Sequence, residues 1–567
     1  MDEIRFVPRN AEGAAEEADF GPEPLRGWIG ALLRARGIRT REEAERFLSP
    51  SAAEMHNPFL LPGMERTVAL LREAIRRGER ILVYGDYDAD GVCATSILLD
   101  LLHEEKAELA YRIPSRHTEG YGLNAGAVRE IAEKCRVLIT VDCGISNFDE
   151  VALAKELGLT VIITDHHEVP ERLPEADAVM DPKIGDYPCP WLCGAGVALK
   201  ICQAMQGTEG ALRRMDLAAL ATVADIVPLM GENRFIVAEG LRRMERTERP
   251  GLRALMDSAG VAPPLRSADI AYRIGPRINA AGRLGDARLG VHLLLTPDAG
   301  KAKFIAGEME KANRERQEAE ARITAEAERQ LAADGGAKGR RVILVSGEGW
   351  NPGLIGLTAG KLCERYGLPS VALSLEGEKA KGSCRSIPGV DIYRILRGCE
   401  ELLEGYGGHE QAAGLTVRRE NIPALRDRMD KLIRESTSEA CFVPSQEYDA
   451  EVPFGEWTEE RMRMLEKLEP TGCGNPEPAF LIRGAEVLSM RAVGRDGAHL
   501  KLSLMDGGGS VMDGIAFGQG ERTGSGWRRM DLIYLPERNE YRGRVSIQAR
   551  IGALRRAEAE TEAPGGD

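Results

Sequence analysis

From Ile81 to about Leu295 the chain alternates short apolar runs with amphipathic helical stretches, and that rhythm constrains the fold more than any other feature. The runs are Ile81-Leu82-Val83-Tyr84, Val137-Leu138-Ile139-Thr140-Val141 and Thr160-Val161-Ile162-Ile163-Thr164, each nearly continuous in its apolar character. A strand that is apolar on both faces needs cover on both, and helices interleaved between parallel strands supply it. Such sheets bind ligands outside the carboxyl ends of their strands, so the residues that follow each run decide the chemistry.

Acidic residues stand at those places. Ile81–Tyr84 leads into Gly85-Asp86-Tyr87-Asp88-Ala89-Asp90-Gly91, Val141 into Asp142-Cys143-Gly144, and Thr164 into Asp165-His166-His167. A fourth acid, Asp225, is embedded in the apolar stretch Thr222-Val223-Ala224-Asp225-Ile226-Val227-Pro228-Leu229, where a charge needs a partner. Taken singly, each piece has an ordinary explanation, because D-x-D turns are common in solvated loops and His pairs in polar rims. In register with strand ends, they are expected to meet in one pocket. Carboxylates with an imidazole form the donor set that hard divalent ions such as Mg or Mn prefer. Two cations about 3.5–4 Å apart would neutralise the acids and clamp both oxygens of a phosphoryl displacement, so phosphoester hydrolysis is the expected reaction.

Length and composition set the outer limits. At about 150 residues per domain, a chain of 567 suggests roughly three to five folding units. A hydrophobic share of 43% and a charged share of 29% suit soluble globular cores. The net charge of -14 excludes a uniformly basic nucleic-acid coat but permits a local basic groove. No apolar run approaches the ~20 residues of a membrane helix, and Met1-Asp2-Glu3-Ile4-Arg5 lacks a signal peptide's apolar stretch. A cytoplasmic protein without membrane contact is therefore expected. The eleven cysteines, irregularly spaced, fit reduced thiols; Cys189 and Cys193 lack a second Cys/His pair and read as loop cysteines.

The remaining texture gives an α/β multidomain layout. Residues 1–77 form a helical lead-in, 78–295 the parallel-sheet domain, and 296–340 a long connecting helix, charge-rich and with almost no Pro or Gly between Thr296 and Asp334. Residues 341–440 form a smaller α/β domain with a Gly-rich turn at Gly407-Gly408-His409. Residues 441–556 carry about five strands split by Gly and Asp turns, expected to close as an antiparallel OB-type β-barrel. Residues 481–556 hold 13 Lys and Arg against 8 Asp and Glu, a net of +5 that suits a nucleic-acid backbone. Residues 557–567 read as a disordered tail.

The motifs together resemble the DHH phosphoesterase superfamily. Asp86-Tyr87-Asp88-Ala89-Asp90-Gly91, Asp142-Cys143-Gly144, Asp165-His166-His167 and Ala224-Asp225-Ile226-Val227-Pro228-Leu229 look like its four motifs, and Gly407-Gly408-His409-Glu410-Gln411-Ala412-Ala413-Gly414 resembles the signature of the companion DHHA1 domain. Arg277-Ile278-Asn279-Ala280-Ala281-Gly282-Arg283, Lys381-Gly382-Ser383-Cys384-Arg385-Ser386 and Gly474-Asn475-Pro476-Glu477-Pro478 extend the likeness over nearly the whole chain, toward the branch of single-strand-specific exonucleases.

That resemblance implies a processive 5′ to 3′ exonuclease releasing mononucleotides from single-stranded DNA in recombination and repair, with two Mn or Mg ions. It implies metal ligands at Asp86, Asp88, Asp90, Asp142, His166 and Asp225, with Asp142, His166 and His167 nearest the chemistry. It implies phosphate or DNA contacts from Arg116, Arg277, Asn279, Arg283, Ser383, Arg385 and His409, with Asn313, Arg316 and Gln317 on the connecting helix as further candidates. A monomer served by a helicase and a single-strand-binding protein is the implied setting. Asn351 stands where the family has histidine, removing one expected polar contact, and Thr471 where an aromatic is commoner. Two alternatives are a DHH hydrolase of short oligonucleotides or cyclic dinucleotides, which the extra barrel disfavours, and a non-cleaving scaffold, which intact acids disfavour.

Overall fold

The computed structural model describes residues 4–9, 20, 27–115, 119–541 and 544–557. The chain forms two compact units, one of residues 46–319 with 469–476, the other of residues 1–45, 320–468 and 477–567.

The first unit is built on a five-stranded sheet ordered Leu109–Arg112, Ile81–Tyr84, Val137–Val141, Thr160–Thr164, Ala178–Met180, with every pair parallel. Alternate residues of the central strands enter two separate cores. Ile81, Val83, Val137, Ile139 and Ile162 pack on one face, and Leu82, Leu138, Val161 and Ile163 on the other. This double cover explains the unbroken apolar runs. The chain passes from Ile81–Tyr84 to an outer neighbour and then to Val137–Val141 on the opposite side, so a topological switch point lies between those two strands. Helices Gly194–Leu212, Met215–Ala224, Gly231–Glu245 and Gly275–Leu284 complete the unit.

In the second unit, a sheet ordered Leu403–His409, Ala412–Arg418, Lys379–Arg385, Ser370–Glu376, Ile343–Glu348 has one parallel pair, at the Ile343 edge. The expected turn at Gly407-Gly408-His409 is instead the end of a strand, and the chain reverses at Glu410-Gln411. Glycine is needed at Gly408 because its φ is +143° and a Cβ would lie 2.4 Å from Ala412 O.

The barrel runs Phe480–Val493, His499–Met505, Val511–Ala516, Arg544–Arg556, Arg529–Tyr541, and the last of these pairs back onto the first. Its seams are antiparallel except a short parallel one at Gly514–Ala549 and Ile515–Arg550. The lead-in is not wholly helical: Arg5–Pro8 is a strand parallel to Ser445–Tyr448. That pairing depends on residues more than 400 positions away and leaves no local periodicity to read. The helix Trp28–Ala35 also belongs to this unit, with Trp28 5.0 Å from the Trp457 ring. The connecting helix spans Ala299–Ala333 and is 35 residues long. Ala302, Ala306, Met309, Asn313, Glu320, Ile323, Ala327 and Leu331 are buried along it, so one stripe is packed rather than solvated.

Candidate metal centre

Four loops converge at the carboxyl edge of the parallel sheet, around its switch point. After Ile81–Tyr84, Asp88 caps the helix Ala89–Glu104, its Oδ1 accepting from Asp90 N at 2.9 Å and Gly91 N at 3.1 Å. Asp90, buried in the first turn, is oriented in turn by another helix start: its carboxylate accepts from Gly194 N at 2.6 Å and Ala195 N at 2.7 Å. Asp142 ends the next strand at φ +60°, a left-handed conformation that Asp tolerates better than most residues. A Cβ on Gly194 would sit 2.6 Å from Asp142 Cβ, so this approach requires glycine.

His166 joins the acids. Its Nε2 lies 3.0 Å from Asp142 Oδ1, 3.6 Å from Asp90 Oδ2 and 3.7 Å from Asp225 Oδ2. Three ligand groups result, Asp90–His166–Asp225, Asp86–Asp88–Asp142 and Asp142–His166–His167, each with donor atoms within 4.8 Å of one another. Asp142 and His166 each belong to two of them. The structure thus brings Asp86, Asp88, Asp90, Asp142, His166 and Asp225 into one site, with His167 at its border.

His167 is held differently. Its Nδ1 lies 2.7 Å from Asp165 Oδ1 and 3.0 Å from the Tyr121 hydroxyl, which also donates to Asp142 O at 3.2 Å. Asp165 further accepts from the backbone N–H groups of Ile145 at 2.9 Å and His166 at 2.8 Å.

The electrostatics follow from burial and crowding. Burial, with the charge of Asp88, raises Asp90 to about 7; burial, then Asp90 and Asp88, raises Asp225 to about 8. Asp142 is pushed well above its usual range by burial and by Asp90, Asp88 and Asp86. Burial lowers His166 to about 3, leaving its ring neutral at pH 7. For His167 burial disfavours the cation, but the hydrogen bond and charge of Asp165 outweigh it and hold the group above its usual value. Asp165 is lowered: burial opposes its ionisation, and His167 with the backbone N–H groups overcomes it. Crowded carboxylates that resist ionisation beside a neutral imidazole call for positive charge, so the donor set fits divalent cations.

The candidate phosphate contacts are placed variously. Asn279 Oδ1 accepts from Ala89 N at 2.8 Å, fixing the start of the helix that bears Asp90. Gly282 lies against Tyr87, where a Cβ would be 2.2 Å from Tyr87 O. Arg277 pairs with Glu310 at 2.7 Å and donates to Arg273 O at 2.5 Å, so its guanidinium is engaged within its own unit. Arg283 is half-buried near the end of the same helix. Arg316 donates to Asn313 Oδ1 at 2.9 Å, and Gln317 is exposed. In the second unit, Arg385, Ala412 and His409 are cross-strand neighbours, as are Ser383, Gly414 and Gly407. A Cβ on Gly356, at the start of the helix Ile355–Tyr366, would meet Ser383 Oγ at 2.9 Å and Arg385 Nη2 at 3.5 Å. Ser383, Arg385 and that helix start therefore form one polar cluster, beside exposed His409. Asn351 accepts from Gly353 N at 2.7 Å, shaping the turn before that helix. Arg116 lies outside the described residues.

Sequence reasoning placed Asp165 at a strand end but gave it no role, and it missed three further groups: Asp181, Tyr121 and the N–H pair of Gly194 and Ala195. Asp181 follows the strand Ala178–Met180 by the same rule and is fully buried; burial raises it to about 7. Tyr121 and the N–H pair of Gly194 and Ala195 carry no motif signal, because their roles arise only when distant loops meet.

Comparison with known proteins places the three domains in named families. The DHH family N-terminal domain matches residues 80–224, the DHHA1 domain 339–435 and the RecJ OB domain 448–553. The single-stranded-DNA-specific exonuclease RecJ of Bacillus subtilis is 39% identical over 499 residues, covering 87% of this chain, which spans 63% of that relative's length. The RecJ of Salmonella typhimurium is 33% identical over 94% of this chain and 96% of its own. The crystal structure of RecJ in complex with Mn2+ from Thermus thermophilus superposes with a TM-score of 0.83 at 32% identity, covering 98% of this chain and 80% of that one. With its acids meeting at the switch point, its DHH, DHHA1 and OB domains each matched, and a relative 33% identical over almost the full length of both chains, the chain belongs to the RecJ family of DHH phosphoesterases.

Proposed function

We propose that this protein is a divalent-metal-dependent exonuclease that degrades single-stranded DNA from its 5′ end to mononucleotides. The observation that carries the proposal is the convergence of five aspartates and His166 in three overlapping ligand groups at the sheet's switch point. Family membership supports the substrate, as does the Mn2+ held by the Thermus thermophilus relative.

Asp86, Asp88, Asp90, Asp142, His166 and Asp225 would hold the ions, Mn or Mg, with Asp142 and His166 shared between groups. Bound there, divalent cations neutralise the acids, lower the pKa of water and polarise phosphoryl oxygens. The chain's own groups do the rest. The helix start at Gly194 and Ala195 fixes the Asp90 carboxylate, and burial keeps His166 neutral and able to donate its lone pair. Asp165 holds a proton on His167 Nδ1, so the imidazolium can polarise a phosphate oxygen beside the centre. In the second unit, Ser383, Arg385 and His409 offer hydroxyl, guanidinium and imidazole donors for phosphate, and Arg283 and Arg116 are further candidates. The barrel is assigned the strand's backbone, and a helicase and a single-strand-binding protein are candidate partners of a cytoplasmic monomer.

The test is cleavage by the purified protein with Mn of 5′-labelled single strands, duplexes and dinucleotides. Release of labelled mononucleotide from single strands alone is expected, whereas cleavage of dinucleotides alone would assign the chain to small-substrate hydrolysis. Arg385→Ala is expected to weaken the preference for a 5′-phosphorylated end; an unchanged preference removes Arg385 from that role.

A further inference from the structure

We infer that the segment Glu469–Pro476 is a positioning clip for the loop that carries Asp225, an inference that rests on the reading of Asp225 as a metal ligand. Asp225 closes the helix Met215–Ala224, and the following loop, Ile226 to Met230, must reach the helix Gly231–Glu245. That loop starts under strain: Ile226 is β-branched, adopts φ +61° and is 73% exposed. Few non-glycine residues hold such a conformation unless their surroundings impose it. Its ties to its own helices include an Ile226 N to Val223 O bond at 3.3 Å, an Asn233 Nδ2 to Pro228 O bond at 3.1 Å and an Arg234 N to Met230 O bond at 3.4 Å.

The clip supplies further restraint. Leu229 N donates to Cys473 O at 2.8 Å. A Cβ on Gly472 would lie 2.8 Å from Leu229 Cδ1, and one on Gly474, at φ +69°, 3.1 Å from Pro228 Cβ. Two glycines therefore mark the places where the clip and the loop touch. The clip's shape is set internally by paired bonds between Gly472 and Asn475, at 2.7 and 3.1 Å, and by Asn475 Nδ2 donating to Pro470 O at 2.8 Å. Its seat is set by Ser267 Oγ donating to Thr471 O at 2.5 Å and by buried Arg234, which donates to Glu469 O at 3.0 Å and Pro470 O at 3.1 Å. Arg234 itself stacks 3.8 Å over the Phe47 ring. Glu469–Pro476 belongs to the compact unit of the metal centre, although the chain on both sides of it belongs to the other unit. This short stretch departs from its sequence neighbours and ends against the Asp225 loop.

A loop pinned at Leu229 holds the Asp225 carboxylate facing His166 before any ion arrives, which is the role that outer partners play for metal ligands. The clip residues touch neither substrate nor metal, so they act by positioning. The experiment is Mn titration calorimetry on full-length protein carrying Gly472→Ala, Asn475→Ala or Ser267→Ala, with melting temperature, kcat against Mn concentration, and amide exchange of Ile226 to Met230. Mn binding about tenfold weaker is expected at a near wild-type melting temperature, with faster exchange at Leu229 and kcat restored at saturating Mn. Ser267→Ala removes one hydrogen bond and keeps the fold, so it gives the comparison even where the other two variants destabilise. Wild-type Mn affinity and unchanged Leu229 exchange in a variant that melts like wild type overturn the clip. A wild-type protein that takes up no Mn overturns the metal reading beneath it.

Discussion

Asp142 is the acid that belongs to two ligand groups, and it is buried with its side chain packed against Gly194. Asp142→Asn keeps the shape but removes the charge. It is expected to cut cleavage at least about 100-fold while raising the melting temperature of metal-free protein, because the cost of burying that charge, and then its crowding with Asp90 and Asp88, is relieved. Cleavage rates and thermal melts in chelator check both halves. Asp165 is a side-chain partner of the His167 ring and also accepts from the backbone N–H of His166, so Asp165→Asn, which keeps a side-chain oxygen for that N–H, should lower kcat about 10- to 100-fold with KM little changed. A rise in KM at constant kcat would instead place His167 in ground-state binding. Asp142 and the Asp86–Asp90 turn were legible because they follow apolar strands, a strand-end rule that needs no tertiary knowledge, and Asp225, which closes a helix, was legible as a charge within an apolar stretch. Asn279 was legible as a special residue but not in its contact, since the amide it holds belongs to Ala89, 190 positions away.

At the level of elements, helix starts and glycines do the positioning. The start of Gly194–Leu212 meets Asp90 only because Gly194 admits Asp142 Cβ, and no sequence pattern announces that approach. Behind the centre the same helix buries Lys200 against Glu232 at 2.5 Å, with both side chains fully enclosed and Tyr187 donating to Glu232 at 2.7 Å. Removing one partner leaves a buried charge, so Glu232→Leu should cost about 3–5 kcal/mol, and the double variant Lys200→Met/Glu232→Leu appreciably less. Denaturant unfolding of the three proteins measures the difference; equal losses in single and double variants would contradict the pair. Strands were read well where the apolar run was continuous, as in Val137–Val141 and Thr160–Thr164. Gly407-Gly408 was misread as a turn because glycine signals both a reversal and a strand whose partner comes close.

On the scale of the whole molecule, the order of domains was open to reading from texture alone: apolar runs with helices, a Pro-poor charged stretch, a second α/β unit, then short strands between Gly turns. The pairing of Arg5–Pro8 with Ser445–Tyr448 and the departure of Glu469–Pro476 toward the Asp225 loop were not, since both are long-range closures whose partners share no local pattern. For a chain of net charge -14 that gathers five aspartates in one pocket, stability is expected to depend on cations. Mn at about 100 times its dissociation constant should stabilise the fold by about 2.7 kcal/mol, an increase that excess chelator abolishes. The most direct measurement of the central claim is the anomalous scattering of Mn in crystals of the wild-type protein. Two peaks about 4 Å apart, enclosed by Asp86, Asp88, Asp90, Asp142, His166 and Asp225, are the predicted result, and no Mn density among those side chains would contradict it.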